Sequence, residues 1–140
     1  MARKKVKTYA SKKVIIAWGS HVVTGYAEDS FVTVDPHGEG VNKVVGCDGE
    51  IARSLDPNQT YTVKLSVMQT SDSNAFFNKM QKLDSETGEG VFPLLITDLM
   101  GGTIFSADEA WLQKGASRVW GKANQNREWT FDTGEAEYNE

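Results

Sequence analysis

The side chains best equipped for chemistry are His21, His37 and Cys47, the chain's only histidines and its one cysteine. Zinc sites draw such ligands from closely spaced pairs, and these three residues form none. His37 sits in the turn run Asp35-Pro36-His37-Gly38 and reads as a solvated loop residue. His21 opens a strand just after Gly19-Ser20 and reads the same way. Cys47 lies beside Asp48 and Glu50, whose charges disfavour a thiolate, so it is a poor nucleophile. Acid–base pairs can be drawn from Asp108 with Glu109, or from Glu128 with Asp132, but nothing sets either apart from solvated surface carboxylates. Trp111 and Trp120, near Asn124 and Asn126, have the makings of a sugar-stacking platform; at their alternating positions they read rather as core residues. No nucleophile elbow, zinc-binding His-Glu-x-x-His, phosphate loop or dinucleotide fingerprint occurs. No catalytic, cofactor or metal site is expected, and the chain does not read as an enzyme.

The elements that would position these residues are mostly short strands. Tyr61, Val63, Leu65 and Val67 alternate with Thr62, Lys64 and Ser66, the period of a half-buried strand. Thr70-Ser71-Asp72-Ser73-Asn74 follows, a cluster suited to accepting hydrogen bonds from free helix N–H groups. Phe76, Phe77, Met80 and Leu83 then form one stripe of a helix over about residues 73–83, ended by Glu86 to Gly90. Val14 to Trp18 is apolar on both faces and predicts a strand that is central or covered on both sides. His21 to Tyr26, Phe31 to Val34 and Val41 to Gly46 read as further strands, separated by turn chemistry at Asp35 to Gly40 and Asp48 to Glu50. Phe92 to Thr97, Thr103 to Ser106 and a run through Trp129 and Phe131 continue the pattern. Ala107 to Lys114 fits a bulged strand or a short helix, with strand the preferred reading, and Glu135 to Glu140 reads as a frayed acidic tail. The expected fold is mainly β, a sandwich or partly closed barrel with one helix packed on its side.

The 140 residues fit a single domain, 1–140, large enough for a real core. The unpaired cysteine fits a reducing compartment. No apolar run approaches the roughly 20 residues needed to span a bilayer, and Val14 to Trp18 is too short for a signal-peptide core. The net charge of −4 hides a split. The arm at about residues 1–12, with Arg3, Lys4, Lys5 and Lys7, is basic, whereas residues 14–140 hold nine basic and nineteen acidic side chains. A sound core, no catalytic constellation and two self-complementary charge regions point to work by assembly. Two rival readings are a carbohydrate-binding sandwich using Trp111 or Trp120 and a single-strand nucleic-acid binder using the arm.

From Gln69 to Asn74, and through Phe92-Pro93-Leu94, Asp98, Gly102-Thr103, Phe105, Ala110-Trp111-Leu112 and Arg127-Glu128-Trp129-Thr130-Phe131, the chain resembles tail tube proteins of contractile-tailed bacteriophages and prophage-derived particles. Asp48-Gly49-Glu50 and Arg53-Ser54 fit the same series, and the resemblance spans roughly residues 13–134. It implies a fold similar to the type VI secretion tube and a non-enzymatic subunit that forms stacked, hexameric rings around a channel for DNA. The implied partners are copies of itself, the tail sheath, baseplate and tape-measure proteins, and DNA passing without sequence-specific binding. The resemblance implies no cofactor and no membrane insertion of the subunit, with the virion tail as the expected location and assembly in the host cytoplasm. Related tail-completion or baseplate roles belong to the same resemblance. On this reading Asp35, His37, Glu39, Asp48 and Glu50, in the turn regions Asp35 to Lys43 and Cys47 to Asn58, reach a neighbouring ring. Arg3, Lys4, Lys5 and Lys7 dock on an acidic neighbour.

Overall fold

The computed structural model describes residues 6–140. A 3-10 turn, Ser11–Lys13, leads into ten strands and one helix: β1 (Val14–Trp18), β2 (His21–Val22), β3 (Val32–Pro36), β4 (Val41–Val45), β5 (Ile51–Leu55), β6 (Tyr61–Met68), α1 (Ser73–Thr87), β7 (Phe92–Asp98), β8 (Ile104–Lys114), β9 (Asn126–Thr133) and β10 (Ala136–Asn139). Eight strands make one sheet in the order β2-β1-β7-β8-β9-β6-β3, with β10 also on β8, and β4 and β5 pair apart as a two-stranded ribbon. Every pairing is antiparallel. The sheet curls without closing into a barrel. Its two edges approach through the segment between β2 and β3, where Tyr26 bridges to Val67 and its hydroxyl donates to the Val14 carbonyl at 3.1 Å.

The core lies between the concave face of the sheet and α1. Val63, Leu65 and Val67 of β6, Trp129 and Phe131 of β9, Ile16 and Trp18 of β1, and Phe105 of β8 are buried there. Alternation dictates this: β1, β6 and β9 each bury every second side chain. The helix adds Phe77 and Met80, with Phe76 and Leu83 partly covered. Phe77 packs edge-on against Trp129 and Phe131 at 5.4 and 5.5 Å, and Trp18 meets Phe131 at 5.0 Å. Burying one such ring is worth about 1.5–3 kcal/mol. The Trp18 indole N–H is satisfied by the Ala110 carbonyl at 3.1 Å.

The helix start is built by the polar cluster that the sequence marks, though through different atoms. The Asp72 side chain makes no capping bond; Ser71 Oγ accepts the Ser73 N–H at 3.2 Å instead. Asn74 is buried, takes the Trp129 indole N–H on its Oδ1 at 2.9 Å, and donates from Nδ2 to the carbonyls of Met68, Gln69 and Ser71. The helix runs a turn beyond residue 83 and ends where Gly88 enters the left-handed region at φ 71° and donates to the Asp84 carbonyl at 2.8 Å.

Several strand expectations are revised. Ala107 to Lys114 joins Thr103 to Ser106 in one long strand, and its ambiguity has a physical cause. Against β7, Leu94 faces Ala107 but Phe92 faces Ala110, so β8 carries an extra residue at Asp108–Glu109. That bulge shifts the buried positions from Phe105 and Ala107 to Ala110 and Leu112, breaking the period of two. Pro93 sits opposite it, where its missing N–H does no harm. Ala136–Asn139 is not a frayed tail: Thr133 faces Ala110 and Ala136 faces Ala107, so β10 continues β9 along β8. Val14 to Trp18 is covered on one face only; Ile15 on its other face is exposed. The run expected from His21 to Tyr26 is cut to the two residues of β2.

Candidate assembly interface

The two turn regions expected to reach a neighbour form the β4–β5 ribbon and its approaches. In register, Val41 pairs with Leu55, Lys43 with Arg53 and Val45 with Ile51. Side chains of directly opposed residues share a face, so one face is two aliphatic pairs flanking a basic pair. The other carries Asn42, Val44, Ala52 and Ser54. Every residue from Val41 to Leu55 is exposed, Leu55 at 71% and Val44 at 65%. The flanking turn residues conceal Ile51 to Leu55 as a strand; its sequence signal is Ile51 and Leu55 four residues apart with Arg53 between them.

The five residues expected at ring contacts divide between the ribbon's ends. Asp48 and Glu50 stand at its tip, where Asp48 Oδ1 accepts the Glu50 N–H at 3.1 Å and Gly49 turns the chain. Glu39 stands at its base; its N–H donates to Asp56 Oδ2 at 2.8 Å and its own carboxylate takes the Asn42 amide at 3.0 Å. Accepting the Glu39 and Asn58 N–H groups lowers the Asp56 pKa below the ordinary value. Asp35 belongs to β3, opposite Thr62, not to a loop. His37 is tied to the sheet: its ring contacts the Thr60 and Thr62 hydroxyls and lies 3.9 Å from the Asp132 carboxylate. His37 is thus an exposed loop residue, as expected, but one whose ring is hydrogen-bonded to the sheet. Of the arm, Arg3, Lys4 and Lys5 lie outside the described residues, and Lys7 is exposed.

Two further surfaces come from the structure. On the outer face of the sheet, Ile15, Val22 and Leu95 stand exposed, with Ala17 facing Leu95 and Val22 in the pairing register. Of these, Ile15 belongs to the run expected to be central or covered on both sides; the subunit alone leaves it open. The loop after β8 carries Trp120, 73% exposed, with the Arg127 guanidinium 5.9 Å from its ring centroid. Its expected place in the core is therefore wrong, whereas Trp111 is half-buried. Lower on β6 and β9, Thr62, Lys64, Glu128, Thr130 and Asp132 make the outward face a polar wall.

Neither histidine stands in a reactive constellation. His21 is more than a strand opener: its ring stacks on Phe76 at 4.4 Å, its Nε2 meets Ser73 Oγ at 2.8 Å, and burial lowers its pKa. Cys47 is exposed at the ribbon tip. Among the described residues, no group of three or more His, Cys, Asp or Glu is placed to hold a metal ion, and no helix is long and apolar enough to cross a membrane.

Comparison with known proteins gives a family, a relative and a fold. The family described as bacteriophage PhiTE tail tube protein matches residues 8–139. "Structural protein ORF10" of Pseudomonas phage KPP10 is 29% identical over 135 residues, spanning 91% of this chain and 78% of that protein. Among solved structures, the anti-feeding prophage cap, the terminating cap of its tube, superposes with a TM-score of 0.65 at 10% identity, over 99% of this chain and 95% of that one. At that identity the likeness speaks for the fold alone.

Proposed function

Because the chain belongs to the bacteriophage PhiTE tail tube protein family, a structural and non-enzymatic one, we propose that it assembles into stacked, hexameric rings that enclose a channel for DNA inside a contractile sheath. Residues 1–140 act as one tube-subunit domain with a basic arm at about 1–12. The observation that carries the reading is the exposed β4–β5 ribbon. A two-stranded hairpin with no packed face is marginal in water, and bare aliphatic strands invite pairing. Such a ribbon is accounted for when another subunit covers it. The open apolar face around Ile15 and Leu95 supports a second, lateral contact between neighbours in a ring.

On this reading the ribbon crosses to the next ring. Asp48 and Glu50 at its tip, and Asp35, His37 and Glu39 at its base, make the contacts between rings. Arg3, Lys4, Lys5 and Lys7 dock on a neighbour's acidic surface. The acidic balance of residues 14–140 suits a channel wall, since it repels phosphates and lets DNA pass without sticking. The remaining partners are the sheath, baseplate and tape-measure proteins, with assembly in the host cytoplasm and the finished tube in the virion tail.

Cys47 supplies the test, because it is the chain's one thiol and stands exposed at the ribbon tip. Electron microscopy of concentrated protein should show rings or tubes about a hundred ångströms across, by domain size and sixfold packing. Maleimide labelling of Cys47 should be fast in dilute subunits and strongly slowed in tubes. Val45→Asp with Ile51→Asp should leave the melting temperature within a few degrees while abolishing tubes. Protein that stays monomeric at every concentration, or tubes in which Cys47 reacts as freely as in subunits, would refute the reading.

A further inference from the structure

We propose that the loop from Gly115 to Gln125 is a knob that seats Trp120 and Lys122 in an acidic cleft of a second copy, at the far part of its β8. The inference rests on the tube reading and names two surfaces that meet in it.

The loop is basic without relief. From Ala110 to Arg127 the chain holds Lys114, Arg118, Lys122 and Arg127 and no acidic residue. It is also held in place. Arg118 donates to the Ala116 carbonyl at 3.1 Å and to Asn78 Oδ1 of α1 at 3.3 Å, and lies 5.3 Å over the Trp129 ring. Gln69 closes the other end, its N–H on the Gln125 carbonyl at 3.0 Å and its Oε1 taking the Gln125 N–H at 2.8 Å. A large aromatic ring offered to water on a braced loop loses little conformational entropy when covered, which is what makes Trp a strong contact residue.

The complement lies elsewhere on the same chain. From Glu128 to Glu140 there are five acidic residues and no basic one. Glu135 and Glu137, with Asp108 from the β8 bulge, Gln59, Ser106 and Ala136, line an open cleft of about 400 Å³, with room for an indole and an ammonium. At about 3.3 Å per strand residue, Asp108 and Lys114 are about 20 Å apart along β8. Among the described residues no Lys or Arg forms an ion pair; the single such contact is His37 with Asp132. Both charge regions are thus unspent within the subunit. Two complementary patches set apart on one molecule are a head-to-tail arrangement, which grows by adding copies.

The test is a charge swap on exposed positions. Lys122→Glu and Glu137→Lys, each alone, should raise the concentration needed for assembly at least about tenfold, because each places like charges together at the interface. Lys122→Glu with Glu137→Lys should bring it back towards wild type, and Trp120→Ala should raise it with no loss of melting temperature. Restoration in the double variant supports the contact. If wild type assembles and the single variants assemble equally well, or the double variant is no better than either, this contact is overturned while the tube reading survives. If wild type itself never assembles, both fall together.

Discussion

Asn74 is the residue whose removal should cost the subunit most for its size. Its Oδ1 is the partner of the Trp129 indole N–H at 2.9 Å, and Trp129 is fully buried. Its Nδ2 serves three carbonyls, of which Met68 and Ser71 also accept backbone N–H groups, while Gln69 has no such second donor among the described bonds. In Asn74→Ala the indole N–H is left buried and unpaired, at about 1–3 kcal/mol, and the Gln69 carbonyl loses its bond at about 1 kcal/mol. The expected total is about 2–4 kcal/mol, or a fall of roughly 5–15 °C in melting temperature for a chain of this size. The assay is urea unfolding of dilute, unassembled protein, followed by tryptophan fluorescence. Trp129→Phe removes the donor, so in that background Asn74→Ala should cost about 1–2 kcal/mol less. A loss under 1 kcal/mol, or strict additivity of the two changes, would refute the claim that one amide joins the helix start to the sheet core.

Two other outcomes follow from the same structure. Burial depresses the His21 pKa below its ordinary 6.5, so the folded state holds the neutral ring. Stability is then full above the unfolded value and is lost as pH falls from about 6.5 through the folded pKa; melting between pH 7.5 and 5.5 should decline in wild type and decline less in His21→Gln. Gly25 and Gly88 both have positive φ, but a Cβ at Gly25 would come 2.7 Å from the Ser71 Cβ, while at Gly88 it meets nothing within 4 Å. Gly88→Ala should therefore cost only the left-handed penalty of about 1–2 kcal/mol, and Gly25→Ala clearly more in chemical denaturation; equal losses would show that the Ser71 contact gives way freely.

The parts legible in the sequence are those where one local period governs. Tyr61 to Met68 and Trp129 to Phe131 alternate because one face of each strand meets the core, and the Phe76, Phe77, Met80 and Leu83 stripe repeats because α1 lies on that core. The resemblance, carried by short runs from Gln69 to Phe131, identified the family. What stayed hidden depends on distant neighbours. The β8 bulge broke its own alternation, and the end of the chain looked frayed because nothing local shows that Ala136 pairs with Ala107. Val14 to Trp18 looked covered on both sides because hydropathy does not distinguish a face covered within the subunit from one left open by it. Of the expected contact residues, the sequence placed Asp48 and Glu50 at a turn, but had no means of tying His37 to Thr60, Thr62 and Asp132 across the sheet.

That same ambiguity is informative once the structure is known. Ile15, Leu95, Val45 and Ile51 are as apolar as core residues, yet all four are exposed. Single exposed aliphatic residues are ordinary on any protein; here they recur at strand spacing on a sheet face and on a projecting ribbon, where pairing with other strands is the hazard. The charged residues behave alike, with Lys and Arg unpaired among the described residues despite an abundance of carboxylates. In contrast, the polar groups beneath α1 are closely satisfied, from Asn74 and Trp129 to Trp18 and Ala110. The exception is Arg127 on β9, whose Nε is buried without a hydrogen-bond partner among the described residues. The helix and the strands below it hold the packed core, whereas the ribbon, the outer face and the Trp120 loop carry the subunit's bare apolar surface.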